Sequence, residues 1–138
     1  MVQIQQIAHY GRWYPYDGRI FPYWWYDTFS GRVINIDDVC MDMGYTDSRD
    51  VEVVSCMYEG KIPFFQVNIP ELELKYAEEF MRTKVSDMMR MSTKEMDYTF
   101  GKYIDEYNLI THWYRYELDV LSKEARKWCN DNGILCVG

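Results

Sequence analysis

The chain has 138 residues, 48% of them hydrophobic and 27% charged, with a net charge of −7 and a pI near 4.8. That length and apolar content fit one folded domain with a real core and exclude a disordered chain or two ordinary domains. The acidic balance repels phosphate backbones, no stretch approaches the roughly 18 apolar residues of a bilayer span, and Met1 to Gln6 has no basic-then-apolar leader, so a cytoplasmic protein without nucleic-acid or membrane partners is expected.

In chain order, the first eight residues alternate loosely and read as an edge strand or a disordered start. A run from Trp13 to Tyr26 follows in which eight of fourteen residues are aromatic. Such density marks either the main packing resource of a small domain or a binding face. Asp17-Gly18 and Ser30-Gly31 are turn signals, and the second separates Tyr23-Trp24-Trp25-Tyr26 from Arg32-Val33-Ile34-Asn35-Ile36, which predicts a β-hairpin. From Asp37 to Gly60 two readings compete. Ser48-Arg49-Asp50 suits a helix start, whereas Val51, Val53 and Val54 favour a strand. Ile62 to Asn68 reads as a strand, with Pro63 suited to its start or to a sheet edge.

The remaining residues read as helices. Pro70 fits a first turn, with Glu71 and Glu73 favourable at the positive end of the helix dipole. Leu72, Tyr76 and Phe80, flanked by Ala77, Met81, Val85 and Met88, form an apolar face at helical spacing. Ser92-Thr93-Lys94-Glu95 is a capping box that starts a second helix. Tyr114, Leu118, Leu121, Ala125 and Trp128 define the buried face of a last helix, which Asn132-Gly133 closes before a terminal strand or packed tail at Ile134 to Val137. The expected fold is a single α+β domain, with an N-terminal antiparallel sheet of three or four strands packed against two or three C-terminal helices.

No motif carries chemistry outright. Asp37, Asp38 and Asp42 are the densest acidic cluster, but their spacing matches no calcium loop, and capping a turn is the more frequent role of such residues. Cys40, Cys56, Cys129 and Cys136 contain no C-x-x-C pair, and neither His9 nor His112 has a second ligand at zinc spacing; reduced, largely buried thiols and no metal are expected. His112 has acidic neighbours but no recognisable nucleophile, and Gly-rich phosphate loops are absent from the sequence. No catalytic residue and no cofactor is therefore assigned.

From Tyr26 to Gly133 the chain resembles a bacterial group catalogued as uncharacterised protein family 0158. The likeness rests on the order of four blocks: Tyr26 to Asp38 around the Ser30-Gly31 turn, Asn68-Ile69-Pro70-Glu71 leading into Ala77 to Met81, Tyr98 to Ile104, and Trp113 to Gly133. Gly101-Lys102 stands where the resemblance would place paired arginines, and the aromatic run before Tyr23 has no counterpart. The resemblance implies an α+β outline and a cytoplasmic setting, and no activity.

Three functions are compatible with this reading. The first is a small non-enzymatic interaction or regulatory protein that binds another protein through Arg12, Trp13, Tyr14, Tyr16 and Arg19, an aromatic surface of the kind that dominates interfaces. The second is a metal-dependent hydrolase or nucleic-acid-processing enzyme built on Asp37, Asp38 and Asp42. The third is a small-molecule sensor with an aromatic-lined pocket among Trp24, Trp25, Trp113 and Trp128.

Overall fold

The computed structural model describes residues 2–15, 23–35 and 60–138. They fall into two compact units: residues 2–15 with 67–138, and residues 23–35 with 60–66. The fold is mixed, with a three-stranded antiparallel sheet near the N-terminus and helices towards the C-terminus. No helix among the described residues is long and apolar enough to cross a membrane.

The smaller unit is the expected hairpin with one strand added. Strand β3 (Trp24–Asp27) pairs antiparallel with β4 (Arg32–Asn35), Trp24 opposite Asn35 and Asp27 opposite Arg32. Asp27 shapes the connection. Its carboxylate accepts the Phe29 backbone N–H at 3.0 Å and the Ser30 hydroxyl at 2.8 Å, and its carbonyl accepts the Gly31 N–H at 2.8 Å. Gly31 sits at φ +71°, a conformation that glycine adopts without steric cost. On the other edge of β3 lies β5 (Lys61–Pro63), where Pro63 removes one ladder donor at the end of a strand paired on one side among the described residues.

The strand expected over Ile62 to Asn68 is in fact two. Lys61–Pro63 joins the hairpin, whereas β6 (Val67–Asn68) pairs in parallel with β2 (Arg12–Trp13) in the larger unit. A continuous β-like sequence cannot report that its two halves find different partners.

The larger unit begins differently from the sequence reading. Strand β1 (Val2–Gln3) pairs in parallel with the terminal β7 (Cys136–Val137), and the chain then turns into a short helix α1 (Ile4–Ile7) and a 3-10 turn (Ala8–Gly11). Ile4, Ile7 and Ala8 are all buried, and their i, i+3, i+4 spacing is helical. An apparent alternation over eight residues is too short to distinguish from this pattern.

Four helices follow, where two or three were expected: α2 (Ile69–Phe80), α3 (Val85–Met89), α4 (Thr93–Glu106) and α5 (Ile110–Asp131), the apolar face from Leu72 to Met88 being broken at Met81, which leaves helical φ/ψ. Asn68 caps α2 by accepting the Glu71 N–H at 3.0 Å, and Pro70 stands in the first turn, where its missing N–H costs nothing. Ser92 caps α4 by accepting the Glu95 N–H at 3.2 Å, as the capping box predicts. Gly133, at φ +67°, follows the end of α5, and the Ile134 N–H closes back onto the Cys129 carbonyl at 2.8 Å.

Tyr76, fully buried, centres the core of this unit. Its ring meets Phe100 and Trp113 edge-on, at centroid distances of 6.0 and 5.1 Å, and Phe100 meets Trp113 edge-on at 4.8 Å. Edge-to-face packing sets the positive rim of one ring against the negative face of another, so one aromatic from each of α2, α4 and α5 locks the three helices together.

The buried face of α5 departs from expectation. Leu121, Ala125 and Trp128 are buried as predicted, but Tyr114 and Leu118 are exposed, and the face continues instead through Glu117 and Trp113. A stripe drawn through apolar residues alone passes over a buried carboxylate, so its first two positions fall one residue away from the buried Trp113 and Glu117.

Candidate functional site

Two carboxylates lie inside the larger unit, at positions where helical spacing calls for apolar side chains. On α2 the inward positions Ile69, Leu72, Tyr76 and Ala77 bracket Glu73, which is 4% exposed. On α5 Glu117 lies one turn after Trp113 and one turn before Leu121, and is 5% exposed. Burying a carboxylate is costly unless it is paired or protonated, and the two residues resolve this in opposite ways.

Glu117 is paired. Its Oε1 accepts from both Nε and Nη2 of Arg12, at 2.8 and 2.5 Å. Strand β2 carries that arginine, so the parallel pairing of β2 with β6 beside the start of α2 delivers the guanidinium to α5. A charge-assisted contact through two nitrogens suits the planar arginine fork.

Glu73 is protonated. Burial first, then a side-chain hydrogen bond with Asp97 and the negative charges of Asp97 and Glu117, push its carboxyl up to about 10, so it is neutral at pH 7. The proton is shared with Asp97, one turn into α4. Glu73 Oε1 has no hydrogen-bond partner among the described residues. The same field reaches Tyr14, whose hydroxyl is pushed up to about 12 by burial and by the charges of Asp97, Glu117 and Glu73, against the opposing pull of Arg12.

Beside this pair is a cavity of about 210 Å³. Helix α2 contributes Glu73; α4 contributes Asp97, Phe100, Gly101 and Ile104, at i, i+3, i+4 and i+7 of one face. Helix α5 adds Ile110, Trp113 and Tyr114. Ile110 and Tyr114 are 42% and 61% exposed and form the mouth, whereas Phe100 and Trp113 are buried. The wall is open at Gly101, where a Cβ would meet no atom within 4 Å. The arrangement is a small cavity lined by aromatic and aliphatic side chains together with an acid pair, enough to orient one polar group of a compact guest.

The expected binding residues are distributed as follows. Arg12 is committed to Glu117, Tyr14 packs half-buried against the helical core, and Trp13 is half-buried in β2. Tyr16 and Arg19 lie outside the described residues, as do Asp37, Asp38 and Asp42, Cys40 and Cys56, the Asp17-Gly18 turn and the ambiguous segment between them and Gly60. Of the tryptophans expected around a pocket, Trp113 lines the cavity. His112, exposed on α5, shares a hydrogen bond of 2.6 Å between its Nδ1 and the Tyr76 hydroxyl, which gives that buried phenol its polar partner. No group of three or more His, Cys, Asp or Glu side chains among the described residues is arranged to hold a metal ion.

Glu73 and Asp97 were missed by the sequence reading, which placed Glu73 at the helix dipole. The available signal was periodicity: Glu73 falls at i+4 of the stripe Ile69, Leu72, Tyr76, Ala77, and Glu117 at i+4 of Trp113.

No protein-family model matches the chain, and neither the curated proteins nor the solved structures contain a match to it.

Proposed function

We propose that the protein binds a compact small molecule in the cavity between α2, α4 and α5. The observation that carries this reading is Glu73 Oε1, a buried acceptor without a partner among the described residues, on a side chain that lines an aromatic-walled chamber. A buried, unsatisfied polar atom costs about 1 to 3 kcal/mol, a cost that a ligand donor removes on binding. The chamber is smaller than the roughly 300 Å³ at which drug-sized pockets begin, so the guest is small. The resemblance to family 0158 implies no activity, so the reading rests on these residues alone.

Docking of another protein through Arg12, Trp13, Tyr14, Tyr16 and Arg19 is a second proposal, supported by the aromatic density of that segment and by the partial exposure of Trp13. It ranks below the first because Arg12 and Tyr14 already serve the interior of the larger unit.

A fragment screen followed by amide NMR tests the leading proposal. Binding at the cavity shifts the signals of Phe100, Gly101 and Trp113; shifts confined to other regions would overturn it.

A further inference from the structure

Resting on that reading of the cavity, we infer that its ligand is a compact organic cation, an alkylammonium whose N–H groups bind the Glu73–Asp97 pair while its hydrocarbon part lies against Phe100, Ile104 and Trp113.

The chemistry of the lining selects this class. With one proton between them, Glu73 and Asp97 use that proton on each other, and the oxygen left over, Glu73 Oε1, can only accept. The guest must therefore donate, which rules against carboxylates, phosphates and ethers. Among donors, a cation is favoured because the lining carries two carboxyl groups and no Lys or Arg, and nearby Arg12 already grips Glu117 through two nitrogens. Two carboxyl groups are too few to strip and hold a hard metal ion, which takes six or more oxygen ligands. An ammonium keeps its own shell of only three donors and accepts aromatic faces as additional ligands. The aromatic walls are present: buried Phe100 and Trp113 meet edge-on at 4.8 Å, with Tyr114 at the mouth.

Gly101 supports the same conclusion. A glycine in the interior of α4 costs the helix about 0.5 to 1 kcal/mol relative to alanine. No packing against a neighbour requires it, since a Cβ there would meet nothing within 4 Å. Its effect is to keep the wall of the chamber open.

Calorimetry and NMR with three probes of similar size decide the matter: n-butylammonium, pentan-1-ol and butyrate, each titrated into the wild type, Glu73→Leu and Gly101→Met. The expected result is saturable binding of butylammonium at least tenfold tighter than pentanol, no binding of butyrate, a loss of at least tenfold in Glu73→Leu, which removes the acceptor oxygen, and loss of both productive probes in Gly101→Met, whose added side chain takes up space in the cavity. Pentanol binding as tightly as butylammonium, and lost in Gly101→Met, would overturn the cation while leaving the cavity as a ligand site. Butyrate binding best would also overturn the cation. If no probe perturbs Phe100 or Trp113 in the wild type, the cavity reading fails with it. Thermal melts of both variants establish that each is folded before titration.

Discussion

Arg12 holds Glu117 Oε1 with two of its nitrogens, at 2.8 and 2.5 Å, across 105 residues of sequence. The contact ties the N-terminal strand β2 to the middle of α5, and it reconciles a carboxylate at 5% exposure with an apolar helix face. Arg12→Ala leaves that carboxylate buried without its cation, and a loss of about 2 to 3 kcal/mol is expected, toward the low side for a buried pair because the arginine is 36% exposed. Glu117→Gln, which removes the charge and keeps the shape, should cost less. Urea unfolding of the two variants measures the difference, and equal losses would contradict this account.

Glu73 sets a pH dependence of opposite sign to that of an ordinary carboxylate. Its pKa rises on folding from 4.5 to about 10, so the native state holds a proton that the unfolded chain has released. That contribution is fully present below about pH 4.5, declines as pH rises and is exhausted above about pH 10. Glu73→Gln should flatten the stability profile and, at pH 7, gain about 3 kcal/mol over the wild type by removing the penalty. Denaturation curves at pH 5, 7 and 9 check this; parallel profiles for the two proteins would refute it.

Gly101→Ala should stabilise the protein by about 0.5 to 1 kcal/mol, because the helix gains propensity and the added methyl enters open space. A thermal melt reports the change directly. A lower melting temperature would mean that the wall beside Gly101 is closed.

Cys129 should resist alkylation. Burial first, and then its neighbour Cys136, push its thiol up to about 11, which leaves almost no thiolate at neutral pH. Peptide mapping after iodoacetamide at pH 7.5 should find Cys129 unmodified in the native protein and modified in urea. Comparable labelling in both conditions would show that the end of α5 is open.

Several elements were legible in the residues because their signals are local. The hairpin follows from Ser30-Gly31 between two β-rich runs, and its turn is organised by Asp27 and by Gly31 at positive φ. The starts of α2 and α4 follow from Pro70 and Ser92, and the end of α5 from Gly133. Each depends on groups a few residues apart, so chemistry read along the chain suffices. The split of Ile62 to Asn68 between two units was not legible, and neither was the helical turn at Ile4 to Ile7. Partner choice over two or three residues is set by what lies across the gap.

The candidate site was largely illegible for a related reason. Polar residues on an amphipathic helix are read as its solvent face, and that rule hides a carboxylate buried deliberately. Glu73 and Glu117 break the rule in different ways, one by protonation against Asp97 and the other by pairing with Arg12, and both compensating groups are remote in sequence.

The amino-acid sequence by itself determined the three long helices α2, α4 and α5, the starts of α2 and α4, the end of α5 and the hairpin, because those depend on near-neighbour sterics, capping bonds and hydrophobic periodicity. Only the tertiary structure decided which carboxylates face inward, that Arg12 and Tyr14 meet the acidic interior of the larger unit, and that Phe100, Gly101 and Trp113 enclose a chamber. The cost of burying a charge depends on the distance to its partner, and that distance exists only once the helices have packed.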